Sequence, residues 1–193
     1  MKKKQLLSSL LFTSLALFIP ANTLVAKNVC DTIALKHDSM TVGNPILPGF
    51  HADPEILYSN KTGKYYIYST TDGIPGWGGY KYYVYSSADL KTWKNEGVAL
   101  DASTDQISWA NGNLWAPAAI EVKQKNGSYK YYLYFSARPN DNGRKQMGVA
   151  VSDSPTGPFV DLGKPLLAKN HPGCHGQLID VDVFIDPVSN KPY

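Results

Sequence analysis

The chain has 193 residues, 12% of them aromatic and 18% charged, with a formal net charge of +3. The excess comes from Lys2, Lys3 and Lys4, and setting these aside leaves 16 Lys and Arg against 16 Asp and Glu. No basic patch remains to argue for a nucleic-acid partner, and a neutral domain rich in Tyr and Trp suits an uncharged polar ligand.

Residues 1–26 read as a secretory signal peptide. The three lysines form a basic n-region, Leu6 to Pro20 is almost uninterruptedly apolar or small, and Ala26 offers a cleavage point. The apolar run is short for a bilayer span. The chain is therefore expected to be exported, to the periplasm or the extracellular space, with no stable membrane span. Oligomeric state leaves no mark in the sequence. Of the two cysteines, Cys30 lies in a short leader (27–43) and Cys174 far downstream. An exported protein can pair them, and the sequence leaves that pairing open. Val29 is a poor context for lipid attachment, and neither thiol has an activating neighbourhood.

From residue 44 onward, strands and turns alternate. Tyr65 to Ser69, Tyr82 to Ser86 and Tyr131 to Phe135 are aromatic and β-branched runs of strand length. Asn60 to Gly63, Asp72-Gly73, Asn126-Gly127, Asn142-Gly143 and Ser189-Asn190 are turn signals. No segment carries a capped helical period, so the chain is expected to be all-β.

One position recurs. Asp53, Ala116 and Asp180 lie 63 and 64 residues apart, and each opens a strand that leads into a Lys- and Tyr-bearing one: Lys64-Tyr65-Tyr66, Lys130-Tyr131-Tyr132 and Lys191-Pro192-Tyr193. A third strand follows at Tyr82 to Ser87, matched by Met147 to Ser152. A fourth region ends on an aromatic, Trp93 in one copy and Phe159 in the next. Four strands per unit of about 60 residues is the pattern of a β-propeller blade, with a β-sandwich as the alternative. The units are 44–110, 111–176 and the start of a third at 177–193. Propellers close with about four to eight blades, so the sequence reads as the amino-terminal part of a longer protein, about two and a half blades with exposed sheet edges.

In a propeller the inner strands line a central channel, and their starting ends gather at one mouth. Asp53 and Asp180 are expected to converge there, with Ala116 as a small filler. Paired carboxylates around a water-sized gap are the equipment of glycosidic hydrolysis. The structural alternative is an Asp that caps a turn. Asp182, two residues on and roughly 7 Å away on a regular strand, is the alternative to Asp180. Asp186-Pro187 reads as a turn. Trp115 and Trp77 are candidates to stack on sugar, with core packing as the other reading. Phe50 and His51 adjoin Asp53 and are candidate pocket walls. His171 and His175 lack a third ligand for a metal. Glu55, Glu96 and Glu121 read as solvated or turn-flanking.

These residues carry a resemblance. Asn44-Pro-Ile-Leu-Pro-Gly-Phe-His-Ala-Asp-Pro-Glu-Ile56 resembles the opening block of glycoside hydrolase family 43. Leu114-Trp-Ala-Pro117 resembles its second block, and Ile179-Asp-Val-Asp-Val-Phe-Ile-Asp186 its third. Ser87-Ala-Asp-Leu-Lys-Thr-Trp93 is similar to a further element. The resemblance covers residues 44–193 and implies a five-bladed propeller that hydrolyses arabinofuranosyl or xylosyl linkages of plant cell-wall polysaccharides with inversion. It implies Asp53 as general base and Asp180 as the residue that orients the acid and raises its pKa. The general acid it implies, a Glu from a later blade, lies outside this sequence, so the 193 residues alone are expected to be inactive. Asp180-Val181 departs from the family's Asp-Pro, and Ala118-Ala119 stands where an acidic residue is common. No cofactor is implied beyond a structural calcium, for which no ligand set is legible. The competing reading is a non-catalytic glycan-binding propeller. A related fructoside-cleaving furanosidase family shares the Asp-Pro opening but not the Trp-Ala-Pro and Asp180 blocks.

Overall fold

The structure, a computed structural model, describes residues 45–189 and 191–193. The signal-peptide and leader expectations, with Cys30, fall outside them. Strands β1 (His51–Ser59), β2 (Lys64–Thr71), β3 (Lys81–Ser87) and β4 (Lys94–Asp101) form one antiparallel meander. Strands β5 (Trp115–Lys123), β6 (Tyr129–Ala137), β7 (Gln146–Ser152) and β8 (Val160–Asp161) form a second. A single 3-10 turn, Pro75–Trp77, lies between β2 and β3. The described residues are thus all-β, two four-stranded sheets that do not close on themselves, a partial, unclosed propeller.

Local chemistry accounts for the strand ends. Gly63, with φ +66°, closes the β1–β2 hairpin and donates its N–H to Ser59 O at 2.8 Å. This left-handed conformation costs glycine no Cβ clash. Before β4, Ser87 Oγ accepts the N–H of Leu90 at 2.8 Å, and Asp89 Oδ1 accepts those of Lys91 and Thr92 at 2.9 and 2.8 Å. That knot delivers Trp93 into a small cluster with Leu47, Ile67 and Tyr85.

The main core lies between the two sheets. Tyr68, Tyr82, Leu100, Leu114, Leu133, Phe135 and Phe159 are fully buried there, and each such side chain stabilises by about 1.5–3 kcal/mol. Tyr66 and Tyr131 of the repeat are buried in this core as well. Phe159 meets Tyr68 edge-on at 6.2 Å, and its N–H donates to Ala99 O at 3.0 Å, tying the end of the second sheet to the first.

Glu121 is a second tie and not a solvated residue. Its carboxylate accepts from Ser59 Oγ, from Tyr131 OH at 2.9 Å and from the N–H of Asn60 at 2.9 Å. Glu96 likewise accepts from Ser86 Oγ and Lys94 Nζ, each at 2.7 Å.

Beyond β8 no further strand forms among the described residues. The third unit is a hairpin with one bridge, Ile185 to Pro192, flanked by reciprocal bonds between Phe184 and Tyr193 at 3.0 and 2.9 Å. Asp186 accepts the turn N–H groups of Val188 and Ser189, as its Asp-Pro context predicts. No helix among the described residues is long and apolar enough to cross a membrane.

Candidate active site

The three repeat positions share an uncommon backbone. Asp53 has φ +48°, Ala116 +43° and Asp180 +61°. Non-glycine residues rarely adopt this left-handed region, and where they do the surrounding structure holds them there. In β1 and β5 the cause is visible, because the register slips between Ala52 and Glu55 and again between Trp115 and Ala118. A bulge at the same place in each inner strand bends it and re-aims a side chain.

That re-aiming separates neighbours that a regular strand would keep on one face. Asp53, Asp180, Trp77 and Trp115 line a single cavity of about 230 Å³, together with Thr70 and Asp72. His51 does not line it. Its Nδ1 pairs with Ser69 Oγ at 3.0 Å, its Nε2 with Pro48 O at 2.9 Å, and its ring stands edge-on to Tyr85 at 5.4 Å. His51 instead lines a separate apolar recess with Leu47 and Ile67. Phe50 is not among the cavity-lining residues either; it is 74% exposed and lies against Gly73. The bulge supplies the physical reason, because it breaks the two-residue alternation that would place residues 51 and 53 together.

The two tryptophans are held as a unit. Trp77 is 77% exposed, and its carbonyl accepts from Trp115 Nε1 at 2.8 Å and Asn113 Nδ2 at 2.6 Å. Buried Tyr82 donates its hydroxyl to Trp115 O at 2.9 Å. Lys145 Nζ stands 3.6 Å from the centroid of the Trp115 ring, so a cation covers one face of that indole. Burial pushes the Lys145 ammonium down, and the charge of Arg138 adds to this. The Lys145 backbone holds the third unit in place: its N–H donates to Gln177 Oε1 at 2.6 Å, and its carbonyl accepts from Leu178 N at 3.2 Å. Asp180 follows two residues later.

Asp53 and Asp180 are both exposed. Thr70 Oγ1 donates to Asp53 Oδ2 at 2.9 Å. Burial and then the Asp53 charge raise the Tyr82 phenol well above its ordinary value. Asp182 is not among the cavity-lining residues; its negative charge acts on half-buried Glu55. Burial raises Glu55 most, the Ala119 N–H opposes it, and Asp182 raises it further. Sequence reasoning missed Thr70 and Lys145, since neither lies in a motif. Among the described residues no three His, Cys, Asp or Glu side chains converge as a metal site. Among the described residues Cys174 is a free thiol beside His171.

Comparison with known proteins gives these features a context. A family model described as glycosyl hydrolases family 43 matches residues 42–193. An arabinoxylan arabinofuranohydrolase of Bacillus subtilis is 35% identical over 162 residues, covering 70% of this chain and 29% of that protein. A xylosidase/arabinosidase of Bacteroides ovatus is 36% identical, covering 63% of this chain and 38% of that one. Among solved structures, a β-xylosidase/α-arabinofuranosidase from a compost microbial metagenome, in a calcium-free complex with xylotriose, superposes with a TM-score of 0.60 at 34% identity. That superposition covers 77% of this chain and 43% of that one. The chain thus spans less than half the length of each of these proteins.

Proposed function

The chain belongs to glycosyl hydrolase family 43, and from that premise we propose that the protein hydrolyses arabinofuranosyl or xylosyl linkages of plant cell-wall polysaccharides with inversion. One observation carries this reading: two carboxylates at equivalent repeat positions, Asp53 and Asp180, face one cavity with two tryptophans. The relatives named for arabinoxylan and xylosides support the substrate class.

In this reading ionised Asp53 takes a proton from a water that attacks the anomeric carbon opposite the leaving group. Asp180 orients the proton donor and keeps it protonated through like-charge repulsion. The donor is a carboxyl group outside the described residues. Trp77 and the open face of Trp115 stack on the sugar rings, and Lys145 seals the other face of Trp115. Export fits a polymeric substrate that cannot enter the cell.

The test is the full-length protein incubated with arabinoxylan, arabinan and their oligosaccharides. Release of free arabinose or xylose is expected. Binding without release would favour the non-catalytic glycan-binding reading.

A further inference from the structure

We infer that Thr70 is a positioning residue for the base and that Ala116, the repeat position without a carboxylate, acts through it by its main-chain N–H. The inference rests on the proposed role of Asp53. Ala116 N donates to Thr70 Oγ1 at 2.9 Å, and Thr70 Oγ1 donates to Asp53 Oδ2 at 2.9 Å. A hydroxyl has one proton and two acceptor lone pairs, while an ionised carboxylate only accepts. With an N–H filling a lone pair of Oγ1, the hydroxyl proton has one productive direction, toward Asp53. The three groups form a polarised chain from peptide N–H through hydroxyl to carboxylate, in which each bond strengthens the next.

The chain is rigid at each link. Thr70 is 5% exposed, and Ala52, the residue before Asp53, pairs with it across β1 and β2. Its branched Cβ restricts the χ1 rotamer. Ala116 offers its N–H from a left-handed backbone, set by the β5 bulge that is the equivalent of the β1 bulge at Asp53. Oδ2 is thereby committed to Thr70. Among the described residues no hydrogen bond to Oδ1 competes with the water that Asp53 would deprotonate. The second sheet thus contributes the geometry of a base carried by the first. The alanine at the repeat position has a role that needs no side chain, only the bulge.

The experiment uses the full-length protein and an arabinoxylan oligosaccharide. Thr70→Val keeps the shape and removes the hydroxyl, so kcat should fall about 10- to 100-fold with KM nearly unchanged. Thr70→Ser, which keeps the donor and acceptor, should recover most of that loss. Thermal melts accompany each variant. Should Thr70→Val fail to fold, Thr70→Cys takes its place, with a thiol that donates weakly and the same expected fall in kcat. A normal kcat in the hydroxyl-free variant, a loss confined to KM, or no recovery by Ser would overturn the inference. Asp53→Asn, run in parallel, separates the two levels. If Asp53→Asn is inactive and Thr70→Val is normal, only the positioning role fails; if Asp53→Asn hydrolyses normally, the base assignment itself fails.

Discussion

Replacing Glu121 with Ala removes the acceptor that joins the first hairpin to the second sheet. Its carboxylate receives the hydroxyls of Ser59 and Tyr131 and the N–H groups of Asn60 and Lys61. The two N–H groups are exposed and turn to water when the carboxylate is lost. The two hydroxyls are buried but only 2.9 Å apart, so once the carboxylate is gone one can donate to the other. The loss is therefore the charge-assisted part alone. A hydrogen bond to a charged group contributes about 1.5–3 kcal/mol, and solvent around the half-buried carboxylate discounts this, leaving about 2 kcal/mol for the pair. At about 2–4 °C per kcal/mol for a chain of this size, the melting midpoint should drop by about 4–8 °C.

The pH dependence carries the sign. Burial pushes Glu121 up, but the bonds from Ser59, Tyr131, Lys61 and Asn60 outweigh it and hold the group below the usual glutamate range. A carboxyl lowered in the folded state stabilises in full above its unfolded value of about 4.3. That stabilisation is lost as pH falls through the folded value. Calorimetric melts of wild type and Glu121→Ala should therefore differ widely at pH 7 and much less at a pH below the folded value, which itself lies below about 4.3. An equal gap at both pH values, or none at pH 7, would refute the reasoning.

Gly148 supports the stacked pair of Trp109 and Phe135, whose centroids are 5.9 Å apart. A Cβ there would lie 2.5 Å from Phe135 Cζ and 2.7 Å from Trp109 Cζ2. Gly148→Ala should cost about 1–3 kcal/mol by overpacking, read from chemical denaturation; an unchanged midpoint would show that the stack yields freely. Trp77→Ala should weaken oligosaccharide binding about 3- to 10-fold without lowering the melting temperature, because the ring is exposed. Calorimetric titration checks this, and unaltered affinity would remove Trp77 from the site.

The strands and turns were legible because their signals are local. Lys-Tyr-Tyr runs and Asn-Gly turns need no distant partner to be read, and the recurrence at Asp53, Ala116 and Asp180 marks equivalent places in the fold. The bulges were not legible. A one-residue slip between Ala52 and Glu55 leaves no mark in residue type, yet it turns Asp53 into the cavity and leaves His51 against Ser69. Glu121 read as solvated or turn-flanking for a related reason: apart from Tyr131 its donors, Ser59, Asn60 and Lys61, lie about sixty residues upstream, brought near only by the docking of the two sheets. Thr70 escaped notice because a threonine in a tyrosine-rich strand is ordinary until its neighbours are placed.

The role of Asp53 is tested most directly by one comparison, hydrolysis and binding of an arabinoxylan oligosaccharide by the full-length protein and by Asp53→Asn. Removing the base should cut turnover about 100- to 10,000-fold while the oligosaccharide still binds between the tryptophans. Turnover by Asp53→Asn at the wild-type rate would contradict the account.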